Sequence, residues 1–494
     1  MKQSNESQIT TNPFDDDKFH EECGVFGIIG HADAATHCVL GLHALQHRGQ
    51  EAAGIVSYDG DNFHQHMAFG KVGDNFGTEE VVLELIGESA VGHNRYSTSG
   101  EKKQIANIQP IFAEMGFGGI ALGHNGNLTN ARSLRKKLVK TGSIFRTTMD
   151  TEVVIHLLAT SNKDSVIDSL VDALQKIEGA YSMVALTKDA LIGVRDPLGV
   201  RPLVLGTLDG AHILASETCA LDIIGANYVR DIEPGEIIVI DKKQKVQSFK
   251  PFKQEKQRFC IFEYVYFSRP DSRVENRDVY KIRKQLGREL AKENGVKADV
   301  VVPVPDSGVP SALGYAEESG IPFELGIIRN HYVGRTFIEP TDTIRHLGVK
   351  LKHSANPSIL KDKRVTLVDD SIVRGTTSKK IVDMVRSAGA KEVHMRISCP
   401  PTTDPCFYGV DTPSKDKLLA SKMNFEEMRK FIGVDSLAFL SVDGMYRAVG
   451  EIKRNEKSPQ YCDACFTGDY PISITDNQQE SMPLLAPITA RAVK

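Results

Sequence analysis

The chain has 494 residues, too many for one hydrophobic core, so two or three domains are expected. Its 60 basic and 64 acidic residues nearly cancel, which gives no basic face for nucleic acid. No apolar run reaches membrane length and no apolar signal segment is visible, so neither a membrane protein nor a secreted one is expected. Eight unevenly spaced cysteines argue against a disulfide scaffold and for a reducing cytoplasm, where thiols serve catalysis, metal binding or core packing.

Residues 1–22 are polar, acidic and poor in apolar groups, the composition of a disordered leader. Cys23-Gly-Val-Phe-Gly-Ile follows directly and opens an apolar strand. Cleavage between Glu22 and Cys23 would give the cysteine a free α-amine. With a pKa of roughly 7.7–8.0, that amine can act as base for its own thiol. The thiolate is the nucleophile, and an amide carbonyl is its natural target.

From residue 23 to about 241 the chain reads as short strands separated by glycine turns. Examples fall at 24–29, 52–58, 90–93, 120–124, 181–187, 191–195, 203–206 and 237–240. Helical stretches are predicted at 34–45, 152–160 and 165–176, the last with Val166, Leu170 and Leu174 four apart. This mixture predicts sheets packed face to face with helices outside.

Four motifs punctuate these elements: His47-Arg-Gly-Gln-Glu-Ala-Ala-Gly54, His93-Asn-Arg-Tyr-Ser-Thr98, His124-Asn-Gly-Asn127 and Thr147-Thr-Met-Asp-Thr151. Together with Cys23 they resemble the class II glutamine amidotransferases, N-terminal-nucleophile hydrolases with a four-layer αββα fold. The resemblance implies Cys23 as nucleophile and Asn125 with Gly126 as oxyanion hole. It puts Arg95 and Thr98 at the glutamine α-carboxylate and Asp150 at its α-amine. Opposite charges would clamp the amino-acid end while the side-chain amide meets the thiolate. Arg48 and Tyr96 would help couple this centre to a second one.

Residues 241–258 are rich in Lys and Gln and read as a linker. Beyond them a strand–loop–helix pattern repeats: strands at 299–304, 364–368 and 392–397, helices at 308–318 and 378–388. Such alternation predicts a parallel sheet flanked by helices. The most informative stretch is Val365-Thr-Leu-Val-Asp-Asp-Ser-Ile-Val-Arg-Gly-Thr-Thr377. An apolar strand ending in a turn that opens a helix points backbone N–H groups at one spot, ready for a phosphate. Ser371, Thr376 and Thr377 add hydroxyls, and Gly375 permits close backbone approach. Asp369 and Asp370 would repel a phosphate but suit a neighbouring diol with Mg²⁺ nearby, so the ligand reads as a ribose 5-phosphate.

A second turn, Pro303-Val-Pro-Asp-Ser-Gly-Val-Pro310, also follows an apolar strand. Two phosphate-accepting turns fit a sugar phosphorylated at both ends. This half resembles the type I phosphoribosyltransferases, which implies phosphoribosyl pyrophosphate (PRPP) as ligand. The resemblance places the pyrophosphate and Mg²⁺ at Asp306 and Ser307, and the ribose and 5-phosphate at Asp369, Asp370, Ser371, Arg374, Gly375, Thr376 and Thr377. Between the turns, residues 329–352 carry Arg329, Arg335, Arg345, Lys350 and Lys352, with Gly334 and Gly348 as hinges. A cationic lid there would stabilise departing pyrophosphate and exclude water.

Cys462 and Cys465 stand three apart, a chelating spacing that Cys260 and Cys406 could complete. Sulfur tetrads hold zinc or an iron–sulfur cluster, and spacing alone does not decide. Cys38 and Cys219 read as core residues, and Cys399 as an extra thiol. From Cys23 to about Tyr470 the two halves together resemble the amidophosphoribosyltransferases, in particular the Bacillus-type branch. That resemblance implies a self-removed propeptide (1–22), a glutaminase domain (23–257), a phosphoribosyltransferase domain (258–470) and a tail (471–494). It implies a [4Fe–4S] cluster on Cys260, Cys406, Cys462 and Cys465, Mg²⁺ held by Ser307, Asp369 and Asp370, inhibition by purine nucleotides, and a homotetramer. The rival readings are an amidotransferase with another acceptor and a PRPP-sensing regulator. The first would need an isomerase or ATP-pyrophosphatase half, the second a basic patch or DNA-binding appendage, and the sequence shows none of these.

Overall fold

The structure, a computed structural model, describes residues 23–96, 104–330 and 353–476. Thr98, Arg335, Arg345, Lys350 and Lys352 lie outside the described residues.

Among the described residues, thirteen strands build the first half. They are β1 (Gly24–Ile29), β2 (Ala52–Tyr58), β3 (Phe63–Phe69), β4 (Ser89–Arg95), β5 (Ile111–Met115), β6 (Gly118–Leu128), β7 (Gly179–Thr187), β8 (Ala190–Arg195), β9 (Val204–Leu208), β10 (Ala211–Ala215), β11 (Asn227–Asp231), β12 (Ile237–Asp241) and β13 (Val246–Phe249). They form two antiparallel sheets, ordered β11-β9-β10-β1-β4-β2-β3 and β13-β12-β8-β7-β6-β5. Successive residues of a strand face opposite sides, and here both sides are apolar. One set, including Val25, Val91, Ala121, Val184 and Leu214, interdigitates between the sheets. The other set packs under helices. Ala34–Ala44 covers the first sheet, while Thr151–Ala159 and Val166–Leu174 cover the second. The expected αββα order is therefore present.

The expected linker is shorter than its composition implied. Residues 246–249 pair with β12 as the edge strand β13. All four are exposed, so backbone hydrogen bonds hold a strand that no apolar pattern announces. β3, β5, β10 and β11 were not among the strands singled out from the sequence, and three of them have faces that are only partly buried.

In the second half Val300–Pro303, Arg364–Asp369, Glu392–Ile397 and Ser436–Phe439 form a parallel four-stranded sheet in that order. Helices Val279–Glu293, Val309–Ser319, Thr376–Ser387 and Phe425–Ile432 pack around it. The halves share buried surface: Ala180, Leu198 and Val200 join the second core, and the N–H groups of Arg258 and Cys260 donate to the carbonyls of Leu198 and Val200 at 2.8 and 3.1 Å.

Residues 471–476, expected in a tail, instead strap the halves together. The Tyr408 hydroxyl donates to Ile472 O at 2.7 Å and accepts from its N–H at 3.0 Å. The Asp476 carboxylate accepts from the N–H groups of Arg132 and Ser133 at 2.6 and 3.1 Å, capping the start of helix Ala131–Lys140.

Candidate active sites

Strand parity delivers the first centre. Val25, Val91 and Ala121 face the gap between the sheets. Arg95 and Asn125 differ from Val91 and Ala121 by even numbers on β4 and β6, and Cys23 stands two residues before Val25 just ahead of β1, so they face the same gap. A Cβ on Gly123 would touch Val25 at 3.6 Å and His93 at 3.8 Å, which shows these strands stacked directly across it. Cys23 is buried at the head of β1, its thiol 3.5 Å from Tyr96 O. Arg95 is fully buried; burial lowers its pKa while the neighbouring Cys23 and Glu51 pull it back up. A guanidinium enclosed this way is poised for a carboxylate.

Asn125 is also fully buried, and neither atom of its amide has a hydrogen-bond partner among the described residues. A buried amide so placed is costly unless a ligand completes it. Gly126 follows with φ +140°. Any side chain there would collide with Ala180 O at 2.0 Å, so only glycine can turn the strand at this point. Asp150 caps helix Thr151–Ala159 through its Oδ1 and accepts from Leu128 N–H at 2.9 Å through Oδ2. It lines a cavity of about 400 Å³ with Asn127, Thr129, Arg135 and Phe407. Beneath the centre, His93 Nε2 meets His124 O at 3.0 Å, and burial pushes His93 down to about 3 and His124 down as well.

The second centre sits at the carboxyl ends of two neighbouring parallel strands, paired Pro303 to Val368. The two turns predicted to take phosphates are therefore side by side. Val304 N–H donates to Val368 O at 2.9 Å, and a Cβ on Gly308 would lie 2.5 Å from that same oxygen. Ser307 Oγ donates to Asp370, whose other oxygen accepts from Ser371 Oγ at 2.7 Å. Asp369 and Asp370 are both buried, and Asp369 Oδ1 accepts from Asp370 N–H at 3.0 Å. Gly375, with φ +78°, precedes helix Thr376–Ser387, so Thr376 and Thr377 occupy its first turn with Arg374 just before it. Arg329 pairs with Asp306 at the end of strand Ile327–Arg329. That strand pairs with His353–Ala355, Arg329 opposite His353, so the ends of the expected lid emerge side by side.

A buried ionic chain joins the halves. Arg48 Nε donates to Glu217, and its Nη2 donates to Glu263 Oε2 at 2.6 Å. Arg201 reaches Glu263 at 3.3 Å and donates from Nε and Nη2 to Tyr408 O at 2.9 and 2.7 Å. All four charged side chains are fully buried. Burial would raise both carboxyls, but Arg48, helped by His47 at Glu217 and by Arg201 at Glu263, holds them below the usual range. Arg201, Glu217 and Glu263 were not singled out from sequence, since nothing local distinguishes them from surface charges.

The four cysteines converge as well. Cys260 and Cys462 pair directly on two short parallel strands, and with Cys406 and Cys465 they line one apolar cavity beside Phe262, Phe267 and Tyr470. Cys399 is not among its lining residues and donates to Pro400 O at 3.2 Å. Cys38 and Cys219 are buried under the first sheet. Burial pushes Cys462 up to about 12 and Cys465 well above its ordinary value, so thiolates here require a bound cationic group. Among the described residues no group of three or more His, Cys, Asp or Glu could hold a metal ion. A cluster differs from a single ion in spreading its thiolates over separate irons, and four sulfurs around an apolar cavity suit one.

Comparison with known proteins agrees with this two-centre architecture. A glutamine amidotransferase domain matches residues 93–222 and a phosphoribosyl transferase domain matches residues 275–411. An amidophosphoribosyltransferase from Rhizobium etli is 58% identical over 487 residues, covering 98% of each chain. One from Bacillus subtilis is 47% identical, over 92% of this chain and 95% of its own. A solved structure of glutamine PRPP amidotransferase from B. subtilis, complexed with ADP and GMP, superposes with a TM-score of 0.87 at 46% identity, covering 93% of this chain and 99% of that one. With both domains, near-complete coverage and the same overall fold, this chain belongs to the amidophosphoribosyltransferase family.

Proposed function

We propose that Cys23 releases ammonia from glutamine between the sheets and that the turns at 303–310 and 369–377 hold the PRPP it attacks. The overall reaction is glutamine-dependent amination of PRPP, yielding 5-phosphoribosylamine, glutamate and pyrophosphate, the first step of purine biosynthesis. The observation that carries the assignment is the pair of adjacent turns with two buried acids beside them, in a half that a buried ionic chain joins to a sandwich whose gap contains a thiol, an enclosed arginine and an orphaned amide.

Removal of residues 1–22 would free the Cys23 amine to take the thiol proton, and the thiolate attacks the side-chain amide carbon of glutamine. Asn125 and the Gly126 N–H stabilise the oxyanion, while Arg95, Thr98 and Asp150 hold the α-carboxylate and α-amine. Ammonia leaves, and water hydrolyses the thioester to glutamate. In bulk water at neutral pH ammonia is mostly ammonium, which has no lone pair, so a closed dry passage suits the transfer. At the second centre Asp369 and Asp370 hold the ribose hydroxyls, and residues 371–377 hold the 5-phosphate. Arg329 and Arg335 reach the pyrophosphate as ammonia displaces it from C1. Mg²⁺ held near Ser307, Asp369 and Asp370 would neutralise that leaving group. Cys260, Cys406, Cys462 and Cys465 would hold a [4Fe–4S] cluster in a structural role, because neither half-reaction moves electrons. Purine nucleotides fit as feedback inhibitors of such a first step, and a cytoplasmic homotetramer is the expected form.

The test compares Cys23→Ser with the parent. Glutamine-dependent synthesis should fall on the order of a thousandfold, while synthesis from added ammonium salts persists; equal loss of both would refute separate centres. Mass spectrometry should find Cys23 at the mature N-terminus, and a fully active chain retaining its leader would overturn the amine's role. Anaerobically purified protein should contain iron and sulfide in equal amounts, and zinc without iron would overturn the cluster.

A further inference from the structure

The oxyanion residues lie on the half of the chain that lacks the four-cysteine site, yet that site's loop touches one of them, Gly126. Gly126 has no side chain to hold it, and its peptide is confined from two sides. On one, β7 runs against it, paired at Tyr181. On the other stands Gly409, where a Cβ would lie 2.9 Å from both Cα and C of Gly126. The next residue of β6 fixes the same loop, since Asn127 Nδ2 donates to Phe407 O at 2.9 Å. Arg201 takes the following carbonyl, Tyr408 O, with two donors. The loop is also held from within by the Tyr408 N–H, which donates to Cys406 Sγ at 3.3 Å.

We infer that residues 406–409 are a positioning element of the glutaminase centre, a buttress that sets where the Gly126 N–H points. This rests on the assignment of Cys23 and Gly126 made above. The physical reason is tolerance: an oxyanion donor works only when aimed within a few tenths of an ångström of the developing charge. A glycine at φ +140° has many alternative conformations unless its surroundings remove them. Pairing with β7 fixes its inner edge, and Gly409 closes the outer one. Gly409 meets the oxyanion residues at the Gly126 backbone, so its effect on the donor passes through Gly126.

Gly409→Ala and Asn127→Ala perturb this contact differently, the first by intrusion and the second by loss of the bond to Phe407. Each is assayed in the full-length enzyme for glutamine hydrolysis, ammonia-dependent synthesis and the alkylation rate of Cys23 by iodoacetamide. Alkylation displaces iodide at a saturated carbon and forms no oxyanion, so it reports thiol access without the donor. The expected result is a fall in kcat for glutamine of roughly tenfold to a hundredfold for Gly409→Ala and a smaller fall for Asn127→Ala. Alkylation and ammonia-dependent synthesis should stay at the parent rate. Equal loss in all three assays, or undiminished glutamine turnover in both variants, overturns the buttress. If alkylating the parent at Cys23 leaves glutamine use intact, the Cys23 assignment has failed and the buttress falls with it; a failure confined to the variants leaves that assignment standing.

Discussion

The two halves present their chemistry in opposite ways. In the sandwich, Cys23, Arg95 and Asn125 come from three strands, face the gap between the sheets and are buried. In the parallel sheet, the PRPP candidates sit on turns just beyond strand ends, where backbone N–H groups converge and helices begin. A site inside a sandwich is set by sheet packing and has little freedom. A site on turns can be covered and uncovered by its neighbours. The buried ionic chain is one place where the two halves meet.

That joint gives the largest expected effect. Glu263→Ala would leave Arg48 and Arg201 facing each other without a carboxylate between them, at zero exposure. Removing one partner of a buried charge pair costs about 3–5 kcal/mol. Urea unfolding should show this as a lowered midpoint, and coupling should weaken, so that glutamine hydrolysis no longer responds to PRPP. A loss below about 1 kcal/mol would mean that the joint behaves like a surface salt bridge.

Next in size is Asp369→Asn, which tests the turn side alone. A hydrogen bond to a charged group contributes about 1.5–3 kcal/mol. KM for PRPP should therefore rise about tenfold to a hundredfold, while KM for glutamine stays at the parent value. An unchanged KM for PRPP would remove Asp369 from the ribose.

The contrast also explains what the sequence made legible. Residues 365–377 are contiguous, so strand, acids, turn and helix start could be read as one unit, and the structure sets the turn at 303–310 beside it. Cys23 could be read only with four distant motifs, because its surroundings are assembled by pairing across sheets. Arg48 and Glu263 stand 215 positions apart, and no local pattern announces such a bond. The strap at 471–476 was missed for a related reason: its hydrogen bonds run to partners 64 and 344 positions earlier.

Acid sensitivity belongs to the sandwich side. Unfolded, His93 takes a proton near pH 6.5, whereas burial holds it to about 3 in the folded chain. Between those values the unfolded chain binds a proton that the folded chain refuses. Stability is fully present above pH 6.5 and falls as the pH drops, by up to about 1.4 kcal/mol per unit. His124 is lowered by the same cause and adds in the same direction. The slope of unfolding free energy between pH 6.5 and 5 should shrink in His93→Gln; an identical slope would show that His93 does not titrate differently on folding.

The smallest effect decides where the sandwich ends. Ser248 Oγ donates to Glu236 Oε1 at 2.7 Å, tying the edge strand β13 to the segment entering β12. Glu236 is almost fully buried and also takes Arg230, so the serine completes its shell rather than creating it. Ser248→Ala should cost about 1 kcal/mol, seen as a small drop in urea midpoint, with amide exchange quickening at Ser248 and Phe249, whose partners are Ile238 and Ile237. A tether between domains would show neither change, because a loose segment has no strand pairing to lose. Slow exchange at residues 246–249 in the parent, lost in the variant, would therefore count the segment as part of the rigid centre.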